Sequence, residues 1–106
     1  MHRNKGLVVR LLSYIQDRDL DGYGLYRAEL KECLESDTSA KLGDVPSALN
    51  ALDYHLYLAE TAGFVIRTPS EEEGDKAGDN FELTWAGHEY LAAEAQSKYL
   101  DLTGFN

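Results

Sequence analysis

The sequence predicts a single small α+β domain, and three observations lead to this prediction. Apolar side chains recur at helical spacing as far as about residue 62, and again after residue 85. Between residues 64 and 85, two short apolar or alternating stretches flank an acidic segment, as the strands of a β-hairpin would. The length of 106 residues corresponds to one domain. We therefore expect residues 1–106 to form one unit, in which a hairpin precedes the last helix.

Two helices are predicted in the first third of the chain. The first covers about Leu7–Asp17, because its apolar residues fall on one helical stripe. A turn is then marked by Asp21-Gly22. The second covers about Leu25–Glu35, and its Cys33 is predicted to be a small buried hydrophobe. The two apolar stripes consist of Leu7, Val8, Leu11, Leu12 and Ile15, and of Tyr26, Leu30, Cys33 and Leu34.

The third helix has the clearest boundary signals. Asp44 or Ser47 is suited to cap it, Pro46 falls in its first turn, and Gly63 ends it. Helical rotation gives this segment two opposite faces. The apolar face consists of Val45, Leu49, Leu52, Leu56 and Ala59. The opposite face consists of Ser47, Asn50, Tyr54, Tyr57 and Thr61.

A hairpin and a last helix complete the predicted fold. The strands are Phe64–Thr68 and Phe81–Trp85, and residues 69–80 between them form an acidic loop. Thr84 is suited to cap the last helix, which starts at Trp85 and continues, with its tail, over residues 85–106. Its inward residues are predicted to be Trp85, Leu91, Ala95 and Tyr99. The predicted core consists of Leu11, Ile15, Leu30, Leu49, Leu52, Leu56, Leu83, Trp85 and Leu91.

This order of elements is typical of a winged helix-turn-helix domain, in which the hairpin is the wing and the third helix is the one that enters a major groove. Two stretches also resemble a family of small proteins carried by bacteria and their phages. These are Tyr54-His55-Leu56 leading to Glu60–Phe64, and Leu83–Leu91. The start of the chain is similar too, so the resemblance covers about residues 1–17 and 50–95. It implies the fold and a mobile-element context, and no particular activity.

Charge and composition narrow the classes of partner. The formal net charge is −9, from 10 basic and 19 acidic residues. Residues 1–31 carry six basic and four acidic side chains, whereas residues 32–106 carry four basic and fifteen acidic ones. Such a surface repels nucleic acids and anionic membranes. No apolar run approaches the roughly 20 residues that span a bilayer, and the single Cys33 excludes an internal disulfide. We therefore expect a cytoplasmic protein that does not bind membranes.

The sequence contains no pattern of catalytic or cofactor chemistry. The histidines His2, His55 and His88 lack the spacing of a metal site, and neither a nucleophile motif nor a phosphate loop is present. The acidic run from Glu71 to Asp75 lacks the ligand spacing of a calcium loop. We therefore expect no enzyme activity, no cofactor and no metal. His55 is predicted to be a hydrogen-bonded histidine at the edge of the core.

A protein partner is favoured over DNA. DNA binders gain much of their affinity from Lys and Arg, yet the third helix carries neither from Asp44 to Gly63, and it carries Asp53 and Glu60. Exposed tyrosines suit protein interfaces, although Tyr54 and Tyr57 could instead cover the wing or the loop. The partner would be basic or nucleic-acid-binding, and the chain could act as a phage or mobile-element inhibitor that imitates nucleic-acid charge. The predicted partner-binding residues are Ser47, Asn50, Tyr54, Tyr57, Glu71, Glu72, Glu73 and Asp75.

The alternative is a DNA-binding transcriptional regulator of the winged-helix type. In that case Arg3, Lys5 and Arg10 of the basic N-terminal arm and first helix would contact DNA, in the context of a dimer. A homodimer through the C-terminal helix and tail is also expected, because these would expose a continuous apolar surface. That surface would consist of Tyr90, Leu100, Leu102 and Phe105.

Overall fold

The computed structural model describes residues 2–36 and 49–103, with side chains up to residue 96. This part of the chain is of mixed α+β type, as predicted. Its helices are α1 (Lys5–Arg18), α2 (Arg27–Ser36), α3 (Leu52–Thr61) and α4 (Trp85–Thr103). Its strands are β1 (Leu25–Tyr26), β2 (Val65–Thr68) and β3 (Asn80–Leu83), and a short 3-10 helix, Lys76–Gly78, lies between the last two. The predicted start of the third helix, including Val45, Pro46 and Ser47, lies outside the described residues.

The strands form one antiparallel sheet in the order β1-β3-β2. The predicted hairpin is confirmed, with strand ends shifted by one or two residues. The strand β1 was not predicted, and the predicted start of the second helix at Leu25 is wrong. Leu25 and Tyr26 pair with Phe81 and Asn80 of β3, and the pairing holds these two residues in extended conformation ahead of Arg27. Tyr26 is consequently exposed and does not belong to the buried stripe of α2.

The core lies between the helices and one face of the sheet. Most of the predicted core residues are buried, and Leu49 and Leu83 are half-buried. The prediction for Trp85 is wrong, because this side chain is 80% exposed. The alternation of β3 stops at Leu83, so Trp85 starts a helix instead of continuing a strand. The buried core residues are Leu7, Val8, Leu11, Leu12, Ile15, Leu25, Leu30, Cys33, Leu34, Leu52, Leu56, Ala59, Val65, Phe81 and Leu91.

The predicted inward face of α4 is also shifted. Ala95 is exposed, whereas Gly87 and Leu91 are buried and Tyr90 and Glu94 are half-buried. Positions 87, 90, 91 and 94 follow the i, i+3, i+4, i+7 spacing of one helical face. The face that packs against the body therefore lies a quarter to a third of a turn away from the predicted one. The prediction for Ala95 is wrong for this reason, and the side chain of Tyr99 lies outside the described part.

His55 ties α3 to the start of α1. The ring is 1% exposed. Its Nε2 accepts a hydrogen bond from the Asn4 backbone N–H at 2.9 Å, and its Nδ1 lies 2.8 Å from the Ala51 carbonyl oxygen. Both atoms are satisfied when Nδ1 carries the proton and donates it to Ala51. The Asn4 side chain in turn accepts from Leu7 N–H and caps α1. The prediction of a packed, hydrogen-bonded histidine is confirmed.

Two predicted helix boundaries meet at one point of the structure. Gly63 ends α3 with a φ of +81°, a conformation that favours glycine. Thr84 Oγ1 donates to the Gly63 carbonyl oxygen at 2.6 Å and accepts from the Gly87 N–H at 3.0 Å. The cap of α4 thus also holds the end of α3, and both boundary predictions are confirmed.

Candidate partner-binding surfaces

The loop that follows α1 is fixed by a single carboxylate. Asp19 accepts hydrogen bonds from the backbone N–H groups of Gly22, Tyr23 and Gly24, at 2.9, 3.1 and 2.8 Å. Gly24 has a φ of +90°, and a Cβ there would lie 2.5 Å from the Phe81 carbonyl oxygen. The loop is therefore held against β3. It presents Tyr23, which is 80% exposed, on a backbone segment that Asp19 holds in place.

The outer face of the sheet continues this surface. The register places Tyr26, Asn80 and Thr68 side by side across the three strands, and it places Ile66 opposite Glu82. Their neighbours along the strands, Leu25, Phe81 and Val65, are buried in the core. Because successive side chains of a strand point to opposite faces, the first set lies on the face directed away from the helices. The outer-face residues are Tyr26, Ile66, Thr68, Asn80 and Glu82.

The loop after α1, the outer face of the sheet and the loop between β2 and β3 line an open concavity of about 610 Å³. We call it the acidic concavity, because every charged side chain that lines it is a carboxylate. Tyr23 and Tyr26 line one side, and the polar sheet residues line the floor. The carboxylates are Glu71, Glu72, Asp75 and Glu82.

The loop between β2 and β3 is closed by its own hydrogen bonds. Asp79 Oδ1 accepts from the Ser70 N–H at 2.9 Å, and Ser70 Oγ accepts from the Glu72 N–H at 3.2 Å. Gly78 approaches so closely that a Cβ there would lie 2.7 Å from Ser70 Oγ. These contacts join the two ends of the loop next to Thr68 and Asn80, the last residue pair of the β2–β3 hairpin before the loop. The acidic residues of this loop therefore lie on a backbone that is held by hydrogen bonds.

A second concavity, of about 560 Å³, borders α3 on the other side of the 3-10 helix, and Tyr57 lines it. The Arg27 guanidinium binds both carboxylate oxygens of Asp53, at 2.6 and 3.1 Å. Arg67 contacts Glu60 at 3.3 Å and Asp79 at 3.4 Å. Lys76 also lines this surface.

This α3 face therefore carries as many basic as acidic side chains. The carboxylates that the sequence shows on the third helix, Asp53 and Glu60, are offset here by basic residues of other elements. The helix itself lacks Lys and Arg, but α2, β2 and the 3-10 helix each bring one basic residue to it. The pairs join residues 26 and 7 positions apart, so their proximity depends on tertiary structure.

Asp53 is expected to contribute a small, pH-dependent amount of stability. The hydrogen bond from Arg27 holds the pKa of the Asp53 carboxyl below its usual value. A lowered pKa means that the contribution is present above the unfolded value of about 3.9 and is lost as the pH falls through the lower folded value. Because the pair is partly exposed, Asp53→Asn should lower the free energy of unfolding at pH 7 by no more than about 1 kcal/mol.

Urea unfolding of wild type and Asp53→Asn at pH 7 and at about pH 2.5 measures this effect. The difference between the two proteins should shrink at the lower pH. Glu73→Gln is the matched control, since Glu73 is exposed in the wing and should leave stability unchanged. An equally large difference at both pH values would contradict the role of the Arg27–Asp53 pair.

The structure divides the predicted partner-binding residues between two surfaces. Glu71, Glu72 and Asp75 line the acidic concavity, and Glu73 is exposed nearby. Asn50, just ahead of α3, and Tyr57, on α3, are exposed. Tyr54 is half-buried, with its ring edge-to-face against His55 at 5.3 Å between ring centroids. Ser47 lies outside the described residues. Sequence reasoning missed Tyr23 and Tyr26. The turn signal at Asp21-Gly22 could have pointed to Tyr23, because turns display their neighbours at the surface.

The basic residues of the alternative interpretation lie at the N-terminal end and along α1. Arg3 and Lys5 are exposed, and Arg10 is half-buried. Lys5 forms an ion pair of 2.7 Å with Glu94. The expectation that Tyr90 is exposed for dimerisation is wrong, because its ring is half-buried and stacks on Phe64 at 4.4 Å between ring centroids. The side chains of Leu100, Leu102 and Phe105 lie outside the described part.

Three general features bear on the class of protein. Within residues 2–36 and 49–96, no group of three or more His, Cys, Asp or Glu side chains is arranged to hold a metal ion. No helix in the described part of the chain has the length and apolar character needed to cross a membrane. Comparisons of the chain with protein-family models, curated proteins and solved structures find no match.

Proposed function

We propose that this chain is a non-enzymatic domain of the winged-helix type that binds a basic protein segment in the acidic concavity. The observation that carries the proposal is the joining of two exposed tyrosines and four carboxylates on one surface. The proposed partner is a nucleic-acid-binding protein. The domain competes with nucleic acid for the basic surface of that partner. The net charge of −9 supports this competition.

The sheet order supports the winged-helix assignment. The strand ahead of α2 pairs with the second strand of the hairpin, so that the order is β1-β3-β2. Winged-helix domains have this arrangement, with α2 and α3 as the helix pair and the β2–β3 hairpin as the wing. The same arrangement brings Tyr26 of β1 next to the wing, and it therefore also creates the acidic concavity.

The chemistry of the acidic concavity suits a segment rich in Arg and Lys. Tyrosine rings offer a large contact area at low conformational cost, and they also attract cations that lie over their faces. Tyr23 and Tyr26 would supply the desolvated centre of the contact. The surrounding carboxylates would steer a cationic partner and increase the association rate, chiefly at low salt.

The test measures binding of a labelled oligo-arginine peptide to the full chain by fluorescence anisotropy. The double change Tyr23→Ala and Tyr26→Ala should weaken binding by about tenfold or more, without loss of stability, because both side chains are exposed. Tyr57→Ala is the matched control, since Tyr57 is 58% exposed and Tyr26 is 52% exposed. Glu71→Lys with Glu72→Lys should slow association and flatten its dependence on salt.

Three outcomes would contradict this proposal. Equal affinity for an oligo-glutamate peptide of the same length would show that charge is not recognised. Loss of binding in Tyr57→Ala, with none in the Tyr23 and Tyr26 variant, would move the interface to α3. Unchanged binding in every variant would leave the acidic concavity without a role.

A second candidate function is sequence-specific DNA binding by α3. One observation favours it: Arg27, Arg67 and Lys76 flank the helix. Both arginines are already engaged by carboxylates, so phosphates would have to displace these partners. A gel shift with duplex DNA at physiological salt tests this function. A specific shift that Asn50→Ala and Arg67→Gln each remove would support the regulator over the protein-binding domain.

A further inference from the structure

A second, separate cleft has the opposite electrostatic character to the acidic concavity. It lies between α1, α3 and α4 and has a volume of about 420 Å³, which is within the range of small-molecule sites. It shares no lining residue with the acidic concavity. Its charged lining residues are Arg3 and Lys5, although the chain as a whole is strongly acidic.

The walls of this cleft are mostly apolar. Phe64 and Tyr90 stack at 4.4 Å between ring centroids, with an angle of 19° between their planes, and both line the cleft. Val8 of α1 and Leu58 of α3 line it as well. A ligand that fills the cleft must therefore carry an apolar body, because polar groups buried against these walls would lose their hydrogen bonds to water.

The two basic residues give the cleft a net positive end. Lys5 is paired with Glu94 at 2.7 Å and lies 6.0 Å from the centre of the Tyr90 ring. Within residues 2–36 and 49–96, no carboxylate forms an ion pair with the Arg3 guanidinium. Glu94 balances one of the two positive charges of Arg3 and Lys5, so a net charge of about +1 remains at this end of the cleft. The complement is a group with a single negative charge at one end of an apolar body.

We propose that this cleft binds a small monocarboxylic acid with an aliphatic or aromatic body. Arg3 holds the carboxylate, since a guanidinium fits a carboxylate with two parallel hydrogen bonds. Lys5 adds a second positive charge beside it, and the stacked rings of Phe64 and Tyr90 contact the apolar body. The N-terminal end of α1 also favours the carboxylate, because the dipole of a helix attracts negative charge at that end.

The experiment titrates the full chain with octanoate and with 3-phenylpropanoate, and follows backbone amides by two-dimensional NMR. The shifts should saturate and should centre on Val8, Ala62 and Phe64. Octylamine, which has the same chain and a positive charge, should bind about tenfold more weakly or not at all, because it meets two cations. Octanol, the neutral analogue, should lie between the two.

Three variants test the proposed contacts. Arg3→Gln should weaken octanoate binding about tenfold without changing stability, because Arg3 is exposed. Arg18→Gln, an exposed arginine at the other end of α1, is its matched control and should bind as wild type does. Ala62→Leu should abolish binding by filling the cleft. Equal affinity for octylamine and octanoate, no saturable shift, or wild-type affinity in Arg3→Gln would overturn the proposal, as would a dimer formed through this cleft in place of ligand binding.

Discussion

Replacing Leu52 by alanine is expected to lower the free energy of unfolding by about 2–5 kcal/mol. Leu52 is 1% exposed and lies in the core where α3 packs against α1. Its truncation removes apolar contacts and leaves a cavity that the neighbouring helices fill only in part. Domains of this size have a total stability of about 5–15 kcal/mol, so the variant loses a large fraction of it. Urea unfolding followed by circular dichroism measures the change.

Leu20→Ala is the matched control for this prediction. Leu20 is 91% exposed in the loop after α1, and its truncation should change stability by no more than about 0.5 kcal/mol. Leu56→Ala, at a second buried position of α3, should behave as Leu52→Ala does. If Leu52→Ala and Leu20→Ala were equally stable, the assignment of this face of α3 to the core would be wrong.

Much of the fold could be predicted because it depends on local patterns. The stripe of α1 repeats every three or four residues, and every member of it is buried. Gly63 and Thr84 end and begin helices through their own backbone and side-chain chemistry, so sequence alone identifies them. The same holds for His55, whose place at the edge of an apolar face predicts burial with hydrogen bonds.

The errors arise where distant parts of the chain decide the outcome. A strand of two residues has no period to detect, so β1 can be identified only from its pairing with residues 54 and 56 positions further along the chain. Trp85 follows an alternating strand, but the cap at Thr84 changes the direction of the chain, and the ring faces outwards. The two-residue alternation of a strand does not predict which side chains are buried once the chain has entered a helix.

The candidate surfaces could be predicted in part for a related reason. The acidic residues of the wing are contiguous in sequence, and their exposure was predicted. The tyrosines that complete the acidic concavity come from the loop after α1 and from β1, about fifty residues earlier. The neutral balance of the α3 face likewise depends on Arg27 and Arg67 crossing to Asp53 and Glu60. Net charge per segment therefore does not give the charge of a surface.

Replacing Gly87 by alanine is expected to lower the free energy of unfolding by about 1–3 kcal/mol. Gly87 is buried in the first turn of α4. A Cβ there would overlap the carbonyl oxygen of Phe64 and would lie 2.6 Å from Leu83 Cδ1. The same carbonyl oxygen accepts a hydrogen bond from Thr84 N–H at 3.0 Å, so a shift of α4 would also disturb its cap. Thermal or urea unfolding measures the loss.

Whether Gly87→Ala lowers or raises the free energy of unfolding distinguishes the effect of packing from that of helix propensity. In an exposed helix, alanine is more favourable than glycine by about 1 kcal/mol, so propensity alone predicts that Gly87→Ala stabilises the protein. Gly6→Ala, in the first turn of α1, is the matched control. Gly6 is exposed, and a Cβ there would meet Asn4 Oδ1 at 3.3 Å, so its stability should change by no more than about 1 kcal/mol. A Gly87→Ala variant more stable than wild type would contradict the close approach of α4 to the end of α3. A destabilised variant would support the need for glycine at position 87. A side chain there would separate the end of α3 from the start of α4, which Thr84 joins through its hydrogen bonds to Gly63 and Gly87.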